Sequence, residues 1–63
     1  MTKSEMEIKL AKYLDTRRNA ILLANSSGRG EIELNIYIGV CNTVAQIGNF
    51  ECREDGTHCV KLD

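Results

Sequence analysis

Hydrophobic positions in the first third of the chain recur every three or four residues, which predicts an amphipathic helix. The segment SEMEIKLAKYLDTRR (residues 4–18) opens with Ser4 and Glu7, a pair spaced as a capping box. Acidic residues near its start and arginines near its end suit the helix dipole. One face of this helix should be buried. Its stripe consists of Met6, Leu10, Tyr13, Leu14 and Arg17.

The end of this helix is open to two interpretations. Ile21 and Ala24 continue the stripe, so the helix can run to Asn25 and stop before SSG. Alternatively, NAILLAN (residues 19–25) is a strand and SSGRG is the loop of a hairpin. The sequence slightly favours the longer helix.

The segment EIELNIYIGV (residues 31–40) alternates strictly between two classes of side chain, which predicts a β-strand. One face would be solvated and the other buried. The solvated face would carry Glu31, Glu33, Asn35, Tyr37 and Gly39. The buried face would carry Ile32, Leu34, Ile36, Ile38 and Val40.

Residues 41–49, CNTVAQIGN, are also ambiguous. They form either a strand kinked at Gly48 or a short helix with Asn42 as its cap and Gly48 just past its end. The β-branched Val44 and the meander that would follow favour the strand.

The last fifteen residues, NFECREDGTHCVKLD, predict a β-hairpin around Asp55-Gly56. A two-residue loop would put Phe50 on the face opposite to the apolar residues of the second strand. A three-residue loop, 54–56, with Gly56 left-handed, instead pairs Phe50 with Val60 and Cys52 with His58. We therefore expect the three-residue loop. In that register Cys52 and Cys59 lie on opposite faces and do not bond to each other.

Together these segments predict a single α+β domain over residues 1–63. An N-terminal amphipathic helix would pack on a small antiparallel β-meander of three or four strands. One helix covers about two strands, since it is ~10 Å wide and strands lie ~4.8 Å apart. The remaining apolar area and the open sheet edge favour a homodimer.

Composition narrows the class of protein without naming a function. The chain is 43% hydrophobic with a formal net charge of -1, too apolar and too balanced for intrinsic disorder. It has no signal-peptide pattern, and its longest apolar run, AILLA, is far too short to span a membrane. Three irregularly spaced cysteines suit a reducing compartment. We expect a cytoplasmic protein without a membrane partner.

The charge is unevenly distributed between the two halves of the chain. Residues 1–30 carry a net charge of +3, from six basic and three acidic residues. Residues 31–63 carry -4, from two basic and six acidic residues. This asymmetry favours association of unlike surfaces, but it is too weak to indicate a nucleic-acid site.

The cysteines and the single histidine do not form a pattern that indicates chemistry. A zinc site would need two ligands from one tight turn, and Cys41, Cys52 and Cys59 with His58 provide none. Cys52 and His58 could sit side by side, but a catalyst also needs a pocket and an oxyanion hole. We expect free structural thiols, no metal, no cofactor and no enzymatic activity.

Two further segments allow a ligand but indicate none. SSGRGE (residues 26–31) lacks the Lys-Ser/Thr of a phosphate-binding loop, so a connector is favoured. The basic residues of the first half are accompanied by only one aromatic residue, Tyr13, which favours a solvated helix face over a nucleic-acid site.

These observations predict a small non-enzymatic binding protein, an inhibitor or modulator that occludes a site on a larger protein. The association with phages and mobile elements rests on size and simplicity alone. Two alternatives are a sponge or sensor for a small anion or nucleotide at a dimer seam, and a nucleic-acid-binding regulator that uses the basic helix. The anion site would use Arg17, Arg18 and Arg29. The protein-binding surface would use Glu31, Glu33, Asn35 and Tyr37.

Overall fold

Two helices followed by one hairpin make up the fold. A computed structural model describes residues 2–25 and 28–63. Helix α1 spans Lys3–Asn25, helix α2 spans Gly30–Ile47, strand β1 spans Gly48–Cys52 and strand β2 spans His58–Leu62. The two strands form an antiparallel sheet. The α+β class is confirmed. The meander of three or four strands is wrong, because the described residues contain two strands and a second helix where the third was expected.

Helix α1 is the longer of the two alternatives, since it continues to Asn25. Its N-cap lies two residues earlier than the sequence indicated. The hydroxyl of Thr2 accepts the backbone N–H of Glu5 at 3.2 Å and donates to the Glu5 carboxylate at 3.1 Å. Because the helix begins at Lys3, Ser4 lies inside its first turn, and Glu7 is free to contact the hairpin.

Helix α2 occupies the segment for which a strand was predicted, so that prediction is wrong. Its inner face repeats every three or four residues and packs against α1 and the hairpin. Of residues 42–48, the first six belong to this helix, and Gly48 is the first residue of strand β1. The helix ends before Gly48 as the alternative interpretation expected, but Asn42 lies in its interior and caps nothing. The inner face consists of Gly30, Glu33, Tyr37, Val40, Cys41 and Val44.

The C-terminal hairpin has the predicted register. Phe50 pairs with Val60 and Cys52 with His58. The Arg53 N–H donates to the Thr57 carbonyl at 2.8 Å, which closes the three-residue loop. Gly56 has a φ of 90°, a left-handed conformation that a side chain would disfavour. The three-residue loop is therefore confirmed.

The core joins α1, α2 and the hairpin through a small set of side chains. Leu14 from α1, Val44 from α2 and Val60 from β2 are buried and in contact. Three side chains are a small core even for a chain of this size, so polar contacts must hold part of the fold together. The residues packed around this centre are Leu10, Ala11, Tyr37, Val40, Cys41, Phe50 and Leu62.

Helix α1 runs along the outer edge of β2 and satisfies part of that edge with carboxylates. Glu7 accepts the N–H of Leu62 at 2.7 Å, and Asp15 accepts the N–H of His58 at 2.7 Å. Eight helical residues rise ~12 Å and four strand residues ~13 Å, so the two spacings match. The two carboxylates therefore cover donors that a bare sheet edge would leave open.

Candidate interaction surface

A chain of hydrogen bonds links α1, α2 and the hairpin through His58. The His58 side chain is fully buried. Its Nδ1 lies 2.6 Å from Oδ1 of Asp15, and its Nε2 lies 2.7 Å from the hydroxyl of Tyr37. A carboxylate can only accept, so Nδ1–H donates to Asp15; in the neutral ring Nε2 then accepts from Tyr37. The imidazole thus has no free nitrogen.

Because both ring nitrogens of His58 have hydrogen-bond partners, the geometry tests whether Cys52 and His58 can form a catalytic pair. Cys52 lies across the hairpin from His58, as the register requires. A nucleophilic thiol needs a base with a free lone pair, but Tyr37 occupies Nε2 and Asp15 occupies Nδ1. The arrangement therefore holds three elements together rather than activating Cys52. Cys41, Cys52 and Cys59 are free thiols, and in the described ranges no three His, Cys, Asp or Glu side chains group closely enough to hold a metal ion.

The surroundings of Tyr37 favour its neutral form. Burial first, and then the neighbouring side chains of Cys41 and Cys52, raise the pKa of the Tyr37 hydroxyl to about 12, while Arg18 acts in the opposite direction. A hydroxyl that keeps its proton remains a donor to His58 throughout the physiological pH range.

The three arginines expected to bind an anion have separate environments. Arg17 donates to Glu33 at 2.6 Å in a partly buried ion pair between the helices. The guanidinium of Arg18 lies beside Gly56 in the hairpin loop. Arg29 is exposed at the start of α2. Since Arg17 already has a carboxylate partner, the anion site stays a prediction without support from this geometry.

The four residues expected to bind a protein do not share a face, because they lie on a helix. Residues two apart on a helix are separated by about 200°. Glu31 and Asn35 are exposed, whereas Glu33 and Tyr37 face inward, to Arg17 and His58 respectively. Glu31 and Asn35 are accessible to a partner, whereas Glu33 and Tyr37 have partners within the chain. A role in protein binding remains a prediction for all four residues.

A different surface, which the sequence did not indicate, lies between the two helices. It is an open groove of about 470 Å³, formed by side chains of α1 and α2. We call it the helix groove. Its lining is almost entirely apolar: Leu10, Tyr13, Ile36, Gly39, Val40, Thr43, Val44 and Ile47.

The segment of α2 that lines the helix groove is free of charge. The sixteen residues 34–49 contain no Asp, Glu, Lys or Arg, although several of their large apolar side chains are exposed. A solvated helix face normally carries charge, so an uncharged exposed face of this kind is a candidate for contact with another molecule. This run of residues was visible in the sequence, but the alternating pattern assigned half of it to a sheet interior. The exposed apolar residues of α2 are Ile32, Leu34, Ile36, Ile38 and Ile47.

No family model matches this sequence, and comparison with curated proteins and with solved structures finds no match. Within the described ranges, neither helix has the length and apolar content needed to cross a membrane.

Proposed function

We propose that the chain is a small non-enzymatic protein-binding module whose working surface is the helix groove. The observation that supports this most is the apolar lining of an open groove beside sixteen uncharged residues. Burial of apolar surface is the main favourable term in protein association. The module would act by occluding an apolar surface of a larger partner, in the manner of an inhibitor, in a reducing compartment such as the cytoplasm.

The shape of the helix groove favours a helix as its occupant. Two packed helices present a furrow into which a third amphipathic helix can place residues at i, i+3, i+4 and i+7. The small residues Gly39 and Thr43 line the groove together with the larger Tyr13 and Ile47. Only the hydroxyls of Tyr13 and Thr43 offer polar side-chain contacts, too few to orient a polar small molecule.

Polar contacts on the inner side of α2 explain how so small a domain can hold the helix groove in a fixed shape. The Arg17–Glu33 ion pair ties the helices at one end, and the His58 chain ties both to the hairpin. Each contact closes the inner side of α2 and leaves its outer side free. A rigid surface loses less entropy on binding than a flexible one.

Site-specific photo-crosslinking in the cells that make the protein tests this proposal. p-Benzoylphenylalanine would replace Ile36 in the helix groove, and Ile38 would serve as the matched control. The two side chains are similarly exposed, at 41% and 46%, and Ile38 is not part of the groove. We expect a discrete protein adduct from position 36 and little or none from position 38.

Two outcomes would overturn the proposal. Equal labelling from both positions would show that the groove has no special affinity. No adduct from position 36, in a variant whose circular dichroism matches that of the original chain, would show that the groove stays empty.

A further inference from the structure

We propose that Cys41 and Cys52 are a redox-sensitive dithiol pair, which a small disulfide such as oxidised glutathione converts into a disulfide bond between α2 and β1. Both thiols are free in the structure, as is Cys59. Cys41 lies on the inner side of α2, where it packs against the core, and not in the helix groove. The pair therefore adds a property that the proposed function does not include.

The hairpin separates its own two cysteines by face. Cys52 pairs with His58, whose buried side chain points towards the helices. Cross-strand partners share a face, so Cys52 also points towards the helices. Cys59 follows His58 directly in β2 and therefore points away from them. Of the two hairpin cysteines, Cys52 is the one that can meet a side chain of α2.

The packing of the elements brings α2 over β1. Helix α2 packs on β1, whereas α1 packs on β2. At one level of α2 the Tyr37 hydroxyl meets His58 at 2.7 Å. Two turns further along, Val44 packs with Val60 in the core. Cys41 lies between Tyr37 and Val44 on the same side of the helix, so it faces the inner surface of the hairpin.

The register brings the Cys52 side chain to the same level. The Arg53 N–H donates to the Thr57 carbonyl, so the neighbouring pair, Cys52 and His58, is not hydrogen-bonded through the backbone. In pairs of this kind the Cα atoms are only ~4.5 Å apart and the side chains are closest. Cys52 therefore lies beside the imidazole that Tyr37 contacts.

The hydroxyl of Tyr37 is thus a common neighbour of the two thiols. Cys41 follows Tyr37 by one helical turn, a spacing at which Cβ atoms are about 5–6 Å apart. Cys41 and Cys52 both contribute to the raised pKa of this hydroxyl, as neighbours on the same side would. One thiol approaches from the helix and the other from the strand, which makes them the pair that the fold favours for bonding.

Thiol–disulfide exchange would form the bond in two steps. Cys52 is exposed, so its thiolate attacks one sulfur of oxidised glutathione and releases one molecule of reduced glutathione. The Cys41 thiolate then attacks Sγ of Cys52 and releases the second molecule. The two protein thiols lose two hydrogens, and the two glutathione molecules gain them. In a reducing compartment such a bond is transient, as is usual for redox-sensing pairs.

Mass spectrometry of the folded chain after treatment with oxidised glutathione tests the pair. The remaining thiols are alkylated with iodoacetamide, and trypsin then cuts after Arg29 and Arg53. One peptide, residues 30–53, holds Cys41 and Cys52, and another, residues 54–61, holds Cys59. We expect the first peptide to carry no alkyl group and to be lighter by about 2 Da, the mass of the two hydrogens lost. The second peptide should carry one alkyl group.

The same treatment in urea provides the matched control. In an unfolded chain, loop closure favours cysteines that are close in sequence, and Cys59 is closer to Cys52 than Cys41 is. We therefore expect urea to shift the pairing towards a bond that joins the two peptides. Cys59→Ser should form the same bond as the original chain, whereas Cys41→Ser should leave Cys52 without a partner in the folded chain.

Three results would overturn the inference. The first is alkylation of both Cys41 and Cys52 in the folded chain under conditions that oxidise the chain in urea. The second is a folded chain in which Cys59 pairs with Cys52 as often as in urea. The third is a mixed disulfide with glutathione that persists on Cys52. None of these results bears on the helix groove, which photo-crosslinking from position 36 tests separately.

Discussion

Replacement of Tyr37 by Phe tests whether the buried hydrogen-bond chain holds the fold together. The substitution removes one hydroxyl and leaves Nε2 of His58 without its donor at 2.7 Å. Because the His58 side chain is fully buried, water cannot replace the lost partner at no cost. An unsatisfied buried polar group costs about 1–3 kcal/mol.

That loss is large for a domain of this size. Sixty-three residues at about 0.05–0.15 kcal/mol each give a total stability of roughly 3–9 kcal/mol. Each kcal/mol corresponds to about 4–8 °C in a domain this small, so we expect the melting temperature to fall by roughly 4–24 °C. Tyr13→Phe is the matched control. Its ring is 47% exposed, and a surface change of this kind stays within about 0.5 kcal/mol.

The assay is thermal and urea unfolding followed by circular dichroism, run at two protein concentrations so that association can be separated from folding. A Tyr37→Phe chain that melts with the Tyr13→Phe control at both concentrations would refute the reasoning. It would mean that His58 finds another donor or that the three elements are held by apolar contacts alone.

Three further predictions follow from local contacts. In a Tyr13→Phe background, phenolate absorbance should show Tyr37 titrating at about 12. Because the pKa of Tyr37 in the folded chain lies above the ordinary 10, the contribution of its neutral hydroxyl to stability is complete below pH 10 and is lost as the pH rises through 12. Thr2→Ala should lower the free energy of unfolding by about 1 kcal/mol, whereas Ser4→Ala should leave it nearly unchanged; the reverse order would restore the capping box first expected. The Thr57 hydroxyl and amide lower the pKa of Asp55, so the contribution of this contact is present above the ordinary 3.8 and lost as the pH falls through the folded value; a carboxyl titration by NMR should shift upward in Thr57→Val, and an unchanged titration would show that the hydroxyl is not responsible.

The hairpin could be predicted from the sequence because its determinants are local. Asp55-Gly56 fixes the loop, and only one register puts Phe50, Val60 and His58 on the same face. Helix α1 was predictable from its stripe, of which Leu10 and Leu14 pack in the core whereas Met6 and Tyr13 are exposed. Its last turn carries no basic residue, because the helix continues past Arg17 and Arg18 to Asn25. The shift of its cap from Ser4 to Thr2 is an error of two residues, within the usual uncertainty of helix ends.

The contacts of His58 could not be predicted in the same way. Asp15 and Tyr37 lie 43 and 21 residues from His58 in the sequence, so their meeting depends on how the layers pack. Sequence reasoning placed His58 on the apolar face of the hairpin, but it gave no means of identifying the groups that would saturate the ring. Only the tertiary arrangement shows that the imidazole is a structural link.

The error at α2 has a physical cause that supports the proposed interface. A helix with a single buried face shows apolar residues at every third or fourth position. Residues 31–40 depart from this pattern, because isoleucine and leucine side chains occupy both flanks of the helix. Such a pattern resembles a strand when read by alternation alone. On a helix, it means that more than one side is suited to burial. The hairpin and α1 cover the inner side of α2, and its other flanks stay exposed. Conflicts between local pattern and observed fold are expected where a sequence serves a function, and in this chain the conflict includes Ile36 and Gly39 of the helix groove.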